Sequence, residues 1–171
     1  MYTITIQQSP LLNIIRSAYA VYAKETYGNL YGHLEETPFN TYYIVESAIP
    51  LQTIERTYDC VYENAKEEKR LSILPNLEQL IGNFHSHPNY RCSLGKFDRK
   101  TIVSKPSIYL IISITRSKRS RPFTSTTLGI HGDLKESDIH IGLRGYACKN
   151  GKIKVARLKI KKNILKNIFR I

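Results

Sequence analysis

The sequence predicts a single α/β domain, and three patterns carry that expectation. Met1-Tyr2-Thr3-Ile4-Thr5-Ile6 alternates like a strand. Leu11, Ile15, Ala18, Tyr22 and Glu25 then recur at helical spacing. Further on, Ile108-Tyr109-Leu110-Ile111-Ile112-Ser113-Ile114 is almost wholly apolar, as a strand covered on both faces must be.

The remaining elements follow in order. After the first strand, Ser9-Pro10 supplies an N-cap and first-position pair, opening a helix that runs to about Lys24. Strands are expected at Asn29 to Leu34 and Thr41 to Glu46, joined by a turn containing Pro38 and Asn40, and a third at Gln52 to Tyr58. Residues 61 to 80 carry mixed charge and read as helix and loop. Leu80 to Phe84 is a short strand stopped by Pro88, since proline cannot donate to a central ladder. A polar loop, Asn89 to Lys96, leads to a helix over Phe97 to Val103 that ends before Pro106, with Gly95 as its N-cap. The strand Ser107 to Thr115 is expected to be central. Asn150-Gly151, between Tyr146-Ala147-Cys148 and Ile153-Lys154-Val155, is a two-residue hairpin signal.

Composition narrows the setting. At 171 residues and 42% hydrophobic content the chain can bury a substantial core within one domain. No apolar run approaches the roughly 18 residues of a membrane span, and the N-terminal residues lack a basic then hydrophobic signal, so the cytoplasm is the expected compartment. Cys60, Cys92 and Cys148 are odd in number and widely spaced, which argues against a disulfide framework. The net charge of +12 is uneven: from Lys149 to Ile171 there are nine Lys or Arg residues and no acid. Ile160, Ile164, Leu165, Ile168 and Ile171 recur at helical spacing there, so Lys159 to Ile171 reads as a basic amphipathic helix. We assign residues 1–160 to the domain and 161–171 to this helix, packed on it with its lysines in water. The same helix could bind a polyanion, an acidic protein or an anionic membrane surface. No recognised nucleic-acid module accompanies the charge.

The chemistry concentrates in Gly82-Asn83-Phe84-His85-Ser86-His87-Pro88 and in Asp98. Two histidines at i and i+2 share one face of a strand. A carboxylate from a later element can complete three protein ligands around a catalytic zinc with an open fourth position. With Gly95 as N-cap, Asp98 falls at the third helical position, where its carboxylate lies near the positive helix end and can turn toward His85 and His87. Cys92 lies in the same loop and is read as a free thiol. His33, His131 and His140 are read as surface or hydrogen-bonded histidines.

These residues resemble the JAMM or MPN-plus (Mov34/PAD-type) zinc metallopeptidases. Their motif is an upstream glutamate, then His-Ser/Thr-His-Pro and, seven residues after the second histidine, Ser-x-x-Asp. His85-Ser86-His87-Pro88 and Asp98 match it, and Glu25-Thr26-Tyr27-Gly28-Asn29-Leu30-Tyr31-Gly32 is similar to the family's Glu-x-x-Gly-x-Leu-x-Gly segment. The resemblance runs from about residue 10 to 160. It implies a cytidine-deaminase-like fold, with a mixed β-sheet flanked by helices, and Zn2+ held by His85, His87 and Asp98. Glu25 would be the general base, and its place at the end of a helical stripe suits that role. The implied reaction is cleavage of an amide or isopeptide bond at the C-terminus of a ubiquitin-like or sulfur-carrier protein. One position departs from the pattern: Gly95 stands where the family has the serine whose hydroxyl stabilises the tetrahedral intermediate. Ser93, two residues early, is the candidate replacement. Two alternatives stay open, a catalytically impaired MPN-like scaffold and a nucleic-acid-associated metalloprotein.

Overall fold

A computed structural model describes residues 1–51, 55–56, 61–62, 66, 69, 79–104, 107–119, 121–126, 129–134 and 138–160. The chain begins with β1 (Tyr2–Ile6), α1 (Gln8–Ala20), β2 (Tyr27–Glu36) and β3 (Thr41–Pro50), followed by the two-residue strands β4 (Glu55–Arg56) and β5 (Val61–Tyr62). Then come β6 (Gln79–Pro88), α2 (Lys96–Ser104), β7 (Ile108–Arg116), β8 (Thr124–Thr126), β9 (Gly129–Asp133), β10 (Ile139–Lys149) and β11 (Lys152–Ile160). The result is a mixed α/β domain dominated by its sheet, with two helices among the described residues.

Nine strands form one sheet in the order β11-β1-β3-β2-β6-β7-β10-β9-β8, and β11 also pairs with β10. That extra pairing closes the seven strands from β11 to β10 into a ring and covers the edge of β11, while β8 stays an edge strand. Pairs β1–β11, β1–β3 and β6–β7 are parallel and the rest antiparallel. As expected, β7 is central, between β6 and β10. Its alternate residues explain the apolar run. Ile108, Leu110, Ile112 and Ile114 join the main core with Leu11, Ile14 and Ile15 of α1, whereas Tyr109 and Ile111 join a second cluster with Leu94 and Ile102 of the α2 side. Asn150 and Gly151 connect β10 to β11 with φ of 52° and 70°, the two positive values a type I′ turn requires.

Several boundaries differ from the sequence reading, each for a physical reason. Helix α1 is capped by Gln7, which makes no side-chain capping bond, so Ser9 and Pro10 lie inside the first turn rather than at cap and first position. Pro10 is tolerated there because the first N–H groups of a helix have no intrahelical partner. The helix ends at Ala20, not Lys24: a tight turn, Tyr22 N–H to Tyr19 O at 3.1 Å and Lys24 N–H to Val21 O at 2.9 Å, carries Ala23 at φ 77°. Tyr22 and Glu25 therefore lie beyond the helix, and Glu25 is presented by the connection to β2 rather than by a helical stripe.

Strand β6 runs from Gln79 to Pro88 and stops there, so the histidines sit in its last alternating positions, at the strand end. The Ser86 N–H bonds Thr26 O on the β2 side, and that of Asn89 bonds Ile114 O on the β7 side. By alternation, residue 88 would donate toward β2, which starts only at Tyr27, opposite His85. Proline there costs no ladder bond. Of the strand expected at Gln52 to Tyr58, Glu55–Arg56 is seen, paired with Val61–Tyr62. That second strand falls where helix and loop were expected, and most of residues 52–78 lies outside the described residues. Lys159 and Ile160, expected to open a C-terminal helix, finish β11, while residues 161–171 lie outside the described residues.

Candidate metal centre

Parallel pairing places His85 beside Ile111 and His87 beside Ser113, on the face of β7 that looks toward α2. From the other direction, the loop after β6 leads into α2, whose cap orients the carboxylate. The Gly95 carbonyl accepts from Arg99 N–H at 3.2 Å, the first bond of the helix, and the Gly95 N–H donates to Asp98 Oδ2 at 2.6 Å. This is the backbone half of a capping box, with an aspartate at the third position reaching back to the cap. The sequence-predicted cap and helical position of Asp98 both hold.

Three side chains converge. His85 Nε2 lies 3.0 Å from His87 Nε2, Asp98 Oδ1 is 3.2 Å from His85 Nε2, and Asp98 Oδ2 is 3.5 Å from His87 Nε2. A tetrahedral zinc with bonds of about 2.0–2.1 Å has edges of about 3.3 Å, so two imidazoles and one carboxylate at these spacings fit it in both donor type and separation. His87 Nδ1 is 3.1 Å from Arg91 O, a bond that fixes the Nδ1–H tautomer and leaves Nε2 free to ligate. This group of three could hold a metal ion.

The electrostatics favour a cation between these groups. Burial opposes charge on His87, but hydrogen bonds to Asp98 and the Arg91 carbonyl, with the charges of Asp98 and Glu25, outweigh it and raise its pKa. Burial likewise pushes Asp98 up, yet hydrogen bonds from His85 and His87 dominate and hold it well below the usual carboxylate range.

Glu25 and Ser93 face the same space. A cleft of about 570 Å³ is lined by Glu25, His87, Asn89, Tyr90, Arg91, Ser93, Gly95, Lys96, Phe97 and Asp98. Glu25 reaches it because Thr26 is clamped to the histidine strand: Ser86 Oγ accepts from Thr26 N–H at 2.8 Å, and Ser86 N–H donates to Thr26 O at 2.9 Å. Gly28 permits the approach of β2 to β6, since a Cβ there would lie 2.3 Å from the Phe84 ring. Cys92 is not part of the group of three. Its thiol is free, it packs against the Leu94–Ile102 cluster, and a Cβ on Gly142 would meet its Sγ at 3.4 Å.

Other histidines are hydrogen-bonded elsewhere. His140 Nδ1 contacts Asp133 Oδ1 at 2.5 Å, His131 Nε2 meets Thr124 Oγ1 at 3.0 Å, and His33 lies between Glu35 and Glu46. Sequence reasoning did not find the Arg91 carbonyl behind His87, the Ser86–Thr26 clamp, or Tyr90 and Phe97 at the cleft. The first is a backbone acceptor set by chain path, and the second joins the Ser86 hydroxyl to a segment 60 residues earlier, which no local pattern marks.

The fold and this convergent group define a sheet-dominated α/β domain whose cleft brings together three side chains that could hold a metal ion. The chain belongs to a known family: the model for the JAB1/Mov34/MPN/PAD-1 ubiquitin protease matches residues 1–104, a span holding all five candidate site residues and ending with α2. A protein from Desulfitobacterium hafniense, solved in solution, shares the fold, with a TM-score of 0.60 at 17% identity over 96% of this chain and 97% of that one. The crystal structure of a JAB1/MPN domain protein from Archaeoglobus fulgidus also matches, with a TM-score of 0.38 at 14% identity over 64% of this chain and 76% of that one. No curated protein sequence matches the chain. Among the described residues no helix is long and apolar enough to cross a membrane.

Proposed function

We propose that the protein is a zinc-dependent, cytoplasmic metallopeptidase of the isopeptidase type, cleaving an amide bond at the C-terminus of a ubiquitin-like or sulfur-carrier protein. The observation that carries this reading is the convergence of His85, His87 and Asp98 within 4.8 Å in a cleft that Glu25 also lines. The domain of residues 1–160 would be the catalytic unit.

His85 Nε2, His87 Nε2 and an Asp98 oxygen would hold the metal. Zinc, when bound in such a site, acidifies water and polarises a carbonyl. The Glu25 carboxylate takes the proton of the attacking water and returns it to the leaving amine as the C–N bond breaks. The Ser93 hydroxyl, in the same cleft, donates to the oxygen that becomes negative as the carbonyl carbon turns tetrahedral. The Arg91 carbonyl keeps His87 in its ligating tautomer, and the Gly95 N–H holds Asp98 in place.

A scaffold reading draws on one observation: Gly95 offers no hydroxyl where the family has one, and an added Cβ would press on Asp98 Oδ2 at 3.2 Å. Elemental analysis of the purified protein with a cleavage assay on ubiquitin-like and sulfur-carrier fusions decides between them. About one zinc per chain is expected, lost in His87→Ala because two ligands hold zinc poorly. Glu25→Gln should keep the metal and abolish cleavage, since an amide cannot take the water's proton. Absence of zinc sinks the metal assignment; zinc without cleavage of any fusion favours the scaffold.

A further inference from the structure

Two chain segments leave neighbouring parallel strands at the same end of the sheet, and both are basic. Residues 89–104, after β6, hold Arg91, Lys96, Arg99 and Lys100 against Asp98 as their one acid, and that acid belongs to the metal group. Residues 116–126, at and beyond the end of β7, hold Arg116, Lys118, Arg119 and Arg121 and no acid. The segments are joined at their roots, where Asn89 N–H donates to Ile114 O at 2.7 Å. Strands in a sheet are about 4.8 Å apart, so the second segment starts one strand spacing from the histidine strand.

The course of the second segment is fixed by its own contacts. Ser117 N–H donates to Asp138 O at 2.8 Å, and Arg121 gives Asp133 Oδ2 both its backbone N–H at 2.7 Å and its Nε at 3.3 Å. The segment therefore crosses the ends of β10 and β9. The face is that of the metal centre: Ser113, the neighbour of His87, pairs with Gly142, which pairs with His131, and Asp133 follows His131 at strand period. By alternation Arg116 shares the opposite face with Ile114 and is not part of this surface; the other seven cations are exposed, and among the described residues only Arg121 of them is held by a carboxylate. Phe97 and Tyr90 stand exposed at the cleft itself.

We propose that this basic band, running from the metal cleft along the β7–β8 segment, is a docking surface for an acidic protein, whose carboxylates lie on the band while its tail occupies the cleft. The proposal rests on the peptidase reading and adds to it the chemistry of the partner. A protein is the occupant chosen because the band is continuous with a cleft holding a general-base carboxylate and an amide-hydrolase metal group. A polynucleotide is the alternative the test must reject. Clustered like charges attract an acidic surface jointly, and that attraction weakens as salt shortens the Debye length, about 8 Å near physiological ionic strength.

The test uses the full-length zinc-loaded protein, a fluorescein-labelled glutamate-rich peptide and an oligothymidylate of equal charge, with anisotropy titrations across a salt series. Two rim pairs are reversed, Arg91→Glu with Lys96→Glu and Lys118→Glu with Arg119→Glu. A control pair at exposed positions of β11 keeps the same change in net charge, Lys152→Glu with Lys154→Glu. Thermal unfolding and zinc content confirm each fold, and the Lys118/Arg119 pair stands alone should the cleft pair fail to fold. Each rim pair should weaken peptide binding about 10-fold or more at low salt and flatten its salt dependence, with the control within about two-fold. An equal loss from the control, or no saturable peptide binding, overturns the proposal. Tighter binding of the oligothymidylate through the same rim residues overturns it in favour of a polynucleotide. None of these readouts requires turnover, so failure of the peptidase reading shows separately, in the cleavage assay.

Discussion

The Gly95 N–H donates to Asp98 Oδ2 at 2.6 Å, while that carboxylate also faces His85 and His87, so one side chain serves both the helix cap and the candidate metal group. A Cβ on Gly95 would lie 3.2 Å from the same oxygen, requiring Asp98 to yield by a few tenths of an ångström. Gly95→Ser should keep zinc and raise amide cleavage about 10-fold, because a hydroxyl at the cap can donate to a developing oxyanion. Ser93→Ala is the companion variant and should lower cleavage by about 10²-fold if Ser93 is the native donor. Zinc content and kcat are read together. Zinc loss in Gly95→Ser would show crowding of Asp98 to outweigh the new hydroxyl.

Ser86, between the two histidines and almost fully buried, accepts the Thr26 N–H at 2.8 Å. Ser86→Ala leaves that buried donor without its acceptor, at a cost of about 1–3 kcal/mol. It also loosens the segment carrying Glu25. The expected variant unfolds at lower urea, retains zinc through His85, His87 and Asp98, and loses cleavage through kcat rather than through metal content. A metal-depleted Ser86→Ala protein would instead make Ser86 a support of the histidines.

Local patterns wrote themselves plainly into the sequence, and long-range closure did not. The apolar run of β7, the Asn150-Gly151 turn and the position of Asp98 in α2 each depend on a few neighbouring residues. The stop of α1 was hidden because Tyr22 and Glu25 continue its apolar spacing, while the turn at Ala23 places them outside the helix. Pro88 does end β6, as expected, but that it sits inside the last ladder position without losing a bond depends on where β2 begins, some 60 residues earlier by chain. Pairing of β11 with β1, Thr3 beside Arg157 for example, has no local signature. Within the site, the ligand types and their spacing were legible. The Arg91 carbonyl is placed by backbone path, and the Ser86 hydroxyl finds Thr26 only through the long-range pairing of β2 with β6.

Asp133 gives a pH signature outside the His85–His87–Asp98 group. Burial pushes its pKa up, but hydrogen bonds from His140 and from Arg121 outweigh this and hold it below the normal value. A depressed folded-state pKa stabilises the fold above the unfolded value of about 3.9, and that contribution fades as pH falls through the folded value. Asp133→Asn should therefore lower stability by about 1.5–3 kcal/mol near neutral pH, the worth of hydrogen bonds to a charged group. The deficit should shrink toward acid pH. Urea midpoints of both proteins from neutral pH down to about pH 3 measure this, and a constant difference would remove the charge of Asp133 from the account.

Thr26 itself holds a buried hydroxyl, Oγ1, with no hydrogen-bond partner among the described residues, although its N–H and carbonyl are both bonded to Ser86. An unsatisfied buried polar atom costs about 1–3 kcal/mol, so replacing it by a methyl of similar shape should be neutral or stabilising. Valine keeps the β-branched form that suits this extended segment. Thr26→Val is therefore expected to raise the urea midpoint by the equivalent of up to about 1 kcal/mol, a part of that penalty, while zinc content and cleavage stay unchanged because the backbone clamp that positions Glu25 is intact. Destabilisation of similar size would mean that the hydroxyl has a partner in solution, and lost cleavage with normal stability would make it part of the Glu25 machinery.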